Sequence, residues 1–354
     1  MLNKKKILIA IKGFEKKNIY KQPWLWVNNF ALDNLSKYEV YILTDSQIDI
    51  SSKYKILKDS NFFKTYKSKY IDNLIPNKIY YLINPLSVLY FWRFIKIKNL
   101  YFIMGSSKFK ISNLLMLSLS NFLLEKKLLS SQVLSSVTPF FLIKKFFLLT
   151  KAKKIIFISK ENYENFKLNG FEKYSVFNKI KLFPKIIKRK KNKINLNEIN
   201  ITYLGPPLFS RGLDYVLESF EYISNYNFDN NKIKKIKLNL LIRYNESEVF
   251  YEKSYQKLIS LINKSKFQNN IYVTTKFMTK NQIYKTLRNT DIALLPFKIT
   301  LSDLPLVVYE AGQLSKYLIV LDACGVSEIA KDYSGIVAKC KKDIFSSLLR
   351  ILYK

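Results

Sequence analysis

The residues best suited to chemistry lie in two short stretches, Gly205–Gly212 and Pro296–Glu310. Gly205 closes the apolar run NITYLG, and a backbone without Cβ at a strand end lets a ligand approach closely. Arg211-Gly212 comes next and directly precedes LDYVLESF, whose apolar spacing is helical. An arginine at a helix N-terminus adds a guanidinium fork to exposed backbone N–H groups, a suitable cradle for a diphosphate. The same spacing also suits a plain strand-to-helix turn with Arg211 facing solvent. In the second stretch a strand ends at Pro296, a polar loop runs to Asp303, and Leu304-Pro305 begin a helix that carries Glu310. The N–H groups of Leu306 and Val307, near the start of that helix, are placed to hold phosphate oxygens. Glu310 either accepts hydrogen bonds from ribose hydroxyls or compensates the helix dipole in the first turn.

Composition narrows the chemistry further. The 354 residues include no His and two Cys, Cys324 and Cys340. A Ser-His-Asp triad, a Cys-His pair, an imidazole base and a His-ligated metal are therefore excluded. Two cysteines make neither a Cys₄ zinc site nor a disulfide framework. What remains is carboxylates, Lys, Arg, Tyr, hydroxyls and backbone dipoles. The net charge is +34, and 54 of the 60 basic residues are Lys. Codon bias in an AT-rich genome accounts for Lys over Arg but not for where the charge sits. Residues 1–200 hold 38 Lys+Arg against 12 Asp+Glu, a net of +26, whereas residues 201–354 hold 22 against 14, a net of +8. The imbalance points to a polyanionic partner for the N-terminal half: membrane surface, lipid phosphate or nucleic acid.

These residues need strand ends and helix starts to position them. KILIAI (6–11), EVYILTD (39–45), KIYYLIN (78–84), NLYFIMG (99–105) and KKIIFIS (153–159) read as strands, with PWLWVNNFALDNLS (23–36) as a Pro-initiated helix and Gly170 ending a helix over 161–170. Strands alternating with helices predict a parallel sheet wound with helices. The polar, charged stretch 185–198 reads as an interdomain linker, after which the pattern restarts. Strands are expected at 200–205, 236–244, 270–275, 291–297 and 317–322, with helices at 213–225, 248–263, 280–289 and 307–315. No apolar stretch reaches the roughly 18 residues of a membrane span, and the N-terminus reads as a first strand and not a signal peptide. The expected location is cytoplasmic or on a membrane surface.

The segments YLGPPLFSRGLDYVLESF (203–220), KNQIYKTLRNTDIALLPF (280–297), SDLPLVVYEAGQLSKYLIV (302–320) and GVSEIAKDYSGIVAKC (325–340) resemble the nucleotide-sugar-binding half of GT-B glycosyltransferases of family 4, in the group 1 type. A weaker resemblance covers 151–184. The resemblance implies an α/β chain of two Rossmann-like domains facing across a cleft: 1–190 on the acceptor and membrane side, 191–354 holding the donor. It implies transfer of a hexose from a UDP- or GDP-sugar to a hydroxyl, with retention and without a metal or other cofactor. The acceptor would be a glycan or a lipid-linked sugar in envelope glycan, glycolipid or glycoprotein assembly. Arg211 falls on the family's phosphate-binding Lys and Glu310 on the Glu of its terminal helix, the two catalytic assignments. Gly205, Leu306 and Val307 would line the donor. The chain departs from the pattern in three places. Pro206 stands where an Arg is usual, so Arg243 from the next strand end is its expected substitute. The first glutamate of the family's pair falls on Ser302, with Asp303 beside it, and the family's first-domain His is missing.

On the acceptor side, Lys12, Lys16 and Trp24 follow the first strand. The segment 108–154 mixes Leu/Phe-rich runs with Lys pairs, which suits an interfacial helix on anionic lipid or a helix pair covering the sheet with snorkelling lysines. A basic protein binding nucleic acid non-specifically is a competing reading, but no specific nucleic-acid signature is present. A catalytically silent homologue is another, motivated by Pro206 and Ser302.

Overall fold

The computed structural model describes residues 5–11, 14, 24–44, 55–58, 63–66, 80–83, 99–104, 130–135, 143–144, 147–148, 152–178, 194–243, 249–300, 303–323 and 325–353. The chain divides into two compact units, one formed by residues 1–184 with 301–303 and the other by 185–300 with 304–354.

The first unit contains β1 (Lys5–Ala10), α1 (Trp24–Asn34), β2 (Tyr38–Thr44), β3 (Lys55–Lys58), β4 (Phe63–Tyr66), β5 (Tyr80–Ile83), β6 (Asn99–Met104), β7 (Ser130–Ser135), β8 (Lys154–Phe157), α2 (Lys160–Phe166) and β9 (Ser175–Phe177). Seven of the strands form a sheet in the order β3-β2-β1-β6-β7-β8-β9, with every neighbouring pair parallel. Ile7, Leu8 and Ile9 are all buried, the unbroken apolar run of a strand covered on both faces. Trp26, Val27 and Phe30 of α1 are buried as well.

Two expectations change in this unit. KIYYLIN supplies β5, but it pairs antiparallel with β4 in a separate two-stranded sheet. Antiparallel partners need no crossover helix, so strands close in sequence can pair directly. Within the segment expected to be helical from 108 to 154, Ser130–Ser135 is a strand between β6 and β8. Its freedom from charge suits a sheet interior as well as a membrane surface. Further along, Ile143 and Phe147 are buried. The Phe147 ring lies 5.5 Å from Phe166 and 5.1 Å from Tyr174, so these two positions cover the unit's own core. Among the described residues, no helix is long and apolar enough to cross a membrane.

The second unit contains β10 (Ile199–Gly205), α3 (Leu213–Asn230), β11 (Ile236–Ile242), α4 (Val249–Asn263), β12 (Ile271–Thr274), α5 (Lys280–Arg288), β13 (Ile292–Leu295), α6 (Leu306–Leu314), β14 (Tyr317–Leu321), α7 (Val326–Asp332), β15 (Ile336–Ala338) and α8 (Lys341–Tyr353). Its six parallel strands run in the order β12-β11-β10-β13-β14-β15. The chain winds from β10 out to β12, then returns to the other side of β10 and winds outward again. Strand order therefore reverses between β10 and β13. In open α/β sheets such a switch point opens a crevice at the carboxyl ends of the two strands, where ligands bind. Ile292, Ala293, Leu294 and Leu295 of β13 are fully enclosed, as a central parallel strand requires. Leu213, Val216, Leu217, Phe220 and Ile223 turn the inner stripe of α3 to the core. Asn231 ends that helix in the left-handed region at φ 45°, its N–H donating to the Asn227 carbonyl.

Candidate functional site

The loops that follow β10 and β13 are joined at four points. Gly212, at φ 72°, starts α3, and a Cβ there would lie 1.9 Å from the Pro296 carbonyl oxygen. No other residue type fits. The Ile299 N–H donates to the Ser210 carbonyl at 3.0 Å. Lys298 pairs with Asp214 in the first turn of α3 at 2.6 Å, its ammonium 4.0 Å from the Tyr215 ring centroid. The fourth contact is Arg211 itself, whose guanidinium lies 5.1 Å from the centroid of Phe297. That ring is buried and meets the enclosed Tyr203 edge-on at 6.4 Å.

Arg211 is thus half-buried on an aromatic face, and burial pulls its pKa down. Among the described residues it has no carboxylate partner and its side chain makes no hydrogen bond. A desolvated guanidinium without a counter-charge is costly, and an incoming anion relieves the cost. Tyr203 does not supply that anion, because burial raises its hydroxyl pKa and the hydroxyl donates to the Pro206 carbonyl at 2.9 Å. Gly205 leaves room above this tyrosine, since a Cβ there would lie 2.7 Å from the Tyr203 Oη. Of the two readings of the turn, a plain turn with solvent-facing Arg211 does not match this burial. Arg243 follows β11, its N–H bonded to the Gly205 carbonyl at 2.9 Å, and its side chain is exposed beside that strand end.

The β13–α6 loop adds backbone donors. Pro305, which has no N–H, is the N-cap of α6 and offers no side-chain cap. Val308 and Tyr309 donate to the Pro305 carbonyl. The N–H groups of Leu306 and Val307 find no acceptor among the described residues, and the positive end of the helix dipole adds to them. The helix starts at Leu306, between the two expected starts at 304 and 307, because a proline disfavours helical geometry in its predecessor, Leu304. In the same loop the Thr300 hydroxyl is buried with no hydrogen-bond partner among the described residues.

Glu310 belongs to a second cluster. It is the fifth residue of α6, beyond the first turn, so compensation of the helix dipole there is not its role. The Tyr284 hydroxyl on α5 donates to its Oε1 at 3.3 Å. Burial raises the Glu310 pKa, and the Lys280 charge and the tyrosine hydroxyl partly offset that rise. The Tyr284 pKa is raised in turn, by burial and by the adjacent carboxylate. α5 is fixed by a reciprocal cap. The Thr279 hydroxyl accepts from the Gln282 N–H, and the Gln282 side chain accepts from the Thr279 N–H at 2.8 Å.

The remaining candidates fare differently. Asp303 is buried. Ser302, Lys12 and Lys16 lie outside the described residues. Trp24 is the half-buried first residue of α1. β1, whose carboxyl end precedes Lys12 and Lys16, borders β6 where the first sheet's order also reverses. Sequence reasoning did not pick out Phe297, Lys298, Tyr284 or Lys280. Only the last two had a signal, the Thr279-x-x-Gln282 box, which sets α5 in phase and puts positions 280 and 284 on one face.

The fold is the two-domain, Rossmann-like α/β fold of GT-B glycosyltransferases. Residues 184–352, which span the second unit, match the sequence model of the glycosyl transferases group 1 family. Among solved structures, a glycosyltransferase from Rickettsia africae matches with a TM-score of 0.60 at 12% identity, over 99% of this chain and 88% of that one. The UDP-forming α,α-trehalose-phosphate synthase from Burkholderia vietnamiensis gives a TM-score of 0.64 at 9% identity, over 99% and 92%. The Anabaena HepE protein, solved in complex with UDP-glucose, gives 0.59 at 10%, over 98% and 90%. A search of curated proteins finds no match.

Proposed function

We propose that the chain transfers a hexose, with retention, from a UDP- or GDP-sugar to a hydroxyl of a glycan or lipid-linked acceptor, in envelope glycan, glycolipid or glycoprotein assembly. The observation that carries this reading is Arg211, a half-buried cation without a carboxylate partner among the described residues, at the switch point of a domain that matches the group 1 model. The donor diphosphate would supply the missing anion, with the Leu306 and Val307 N–H groups and the dipole of α6 on the same loop system. As the bond from the anomeric carbon to the diphosphate oxygen breaks, negative charge builds on the leaving group. Preorganised donors aimed at that charge lower the barrier. The leaving phosphate takes the acceptor's proton as the new glycosidic bond forms on the same face of the sugar. No enzyme nucleophile and no metal takes part in this scheme. Glu310 would hold the ribose.

The acceptor side is read from charge. A net of +26 over residues 1–200 favours an anionic partner for that half, and a lipid-linked diphosphate at the cytoplasmic face of a membrane combines that charge with a sugar hydroxyl. The buried Ile143 and Phe147 reduce what the 108–154 segment offers to a lipid surface, so the proposal rests on charge more than on an interfacial helix.

Calorimetric titration of UDP, GDP and ADP into wild type, Arg211→Ala and Glu310→Ala at moderate salt tests the donor site. Selective binding of one diphosphate by wild type, weakened in both variants, is the expected result. No nucleotide binding, together with salt-sensitive binding to DNA or RNA, would overturn the reading.

A further inference from the structure

We infer that Tyr284, with Lys280 one helical turn before it, positions the Glu310 carboxylate to read the ribose diol of the donor nucleotide. This rests on the donor-site reading and adds to it a pair of positioning residues on a helix that neither phosphate loop contains. Tyr284 and Lys280 stand four residues apart on α5, so they share one face, and the ammonium lies 5.4 Å from the centroid of the tyrosine ring. The hydroxyl reaches across to α6 and donates to Oε1 of Glu310 at 3.3 Å. Hydrogen bonds in unliganded sites are often this long and shorten when the ligand arrives. One lone pair of Oε1 is then engaged. The other, and both on Oε2, have no hydrogen-bond donor among the described residues.

A carboxylate held in this way presents two acceptor oxygens side by side, which matches two adjacent hydroxyls on a five-membered ring. Left alone it would not stay in that condition. The carboxyl is largely buried, and burial favours its neutral form, which donates one proton and accepts poorly. The tyrosine O–H and the lysine charge both favour the ionised form. The hydroxyl also fixes the rotation of a side chain that would otherwise be free about its last bond. The cap formed by Thr279 and Gln282 holds the first turn of α5, and so the pair, in place.

The test is discrimination between ribose and deoxyribose. UDP against 2′-deoxy-UDP and GDP against 2′-deoxy-GDP are titrated into wild type, Tyr284→Phe, Lys280→Met and Arg211→Ala, with thermal unfolding as a check on folding. Wild type is expected to favour the ribonucleotide by about tenfold, because a site that pairs with a hydroxyl rejects the analogue lacking it. Tyr284→Phe and Lys280→Met should each reduce that preference to about threefold or less while the 2′-deoxy affinity barely changes. A purely structural role would lower both affinities together and leave the ratio intact. Full preference retained in both variants overturns the inference. Equal binding of ribo and deoxy forms by wild type, with binding still lost in Arg211→Ala, overturns this inference and leaves the donor site standing. Absence of nucleotide binding in wild type overturns both.

Discussion

The two clusters of the second unit are built by different means. Around Arg211, main chain does most of the holding: Gly212 pressed against the Pro296 carbonyl, the Ile299–Ser210 hydrogen bond, and an aromatic ring beneath the guanidinium. Around Glu310, two helices meet through side chains alone, one hydroxyl on one carboxylate with a lysine near by. Both clusters are partly withdrawn from water, but their electrostatic states are opposite. The first is a cation that lacks an anion among the described residues; the second is a carboxylate already met by a donor and a positive charge. A backbone-built cradle suits a ligand group found in every nucleotide donor, the diphosphate. A side-chain clamp suits a group to be discriminated, since single substitutions retune it without disturbing the loop.

Breaking the first cluster should cost most. Gly212→Ala forces a left-handed residue and a clash with main chain, so a stability loss of at least about 2 kcal/mol is expected by chemical denaturation, with donor binding lost alongside. Arg211→Ala leaves the loops joined at three points and removes the charge. Donor affinity should fall by about 2 kcal/mol, roughly thirtyfold, with a much smaller change in stability. Glu310→Gln tests the second cluster and should weaken the donor by about tenfold. The pH dependence sharpens the contrast. Burial raises the Glu310 pKa, and the ionised form is the better acceptor, so wild-type affinity should begin to fall on acidification above the ordinary carboxylate range. Glu310→Gln should lose that limb, leaving only the phosphate's own titration. The smallest effect belongs to the partly exposed Lys298–Asp214 pair, where Lys298→Ala should cost about 0.5 kcal/mol of stability.

The same contrast explains how much the sequence disclosed. Gly205, Arg211 and Gly212 were readable because glycine is scarce in this chain and each turn needs it for a steric reason that leaves a mark. Five of the six strands of the second sheet were readable because parallel strands buried in a sheet interior are largely apolar runs, whereas β15, three residues long, was not. Phe297 was not, since nothing in one apolar residue after a strand reveals that an arginine will lie on it. Tyr284 was hidden for a different reason: its partner is 26 positions away, on another helix, and pairing across helices leaves no periodic signal. In the first unit, β7 was missed because a six-residue strand without charge looks like any other apolar run.

The most direct test of the central claim, that Arg211 receives the donor diphosphate, is a double comparison. The affinities of the preferred nucleoside diphosphate and of its bare nucleoside are measured for wild type and for Arg211→Met, which keeps the packing on Phe297 and loses the charge. The account predicts that the variant binds the nucleoside as wild type does and the diphosphate roughly thirtyfold more weakly. An equal loss for both ligands, or none for either, would contradict it.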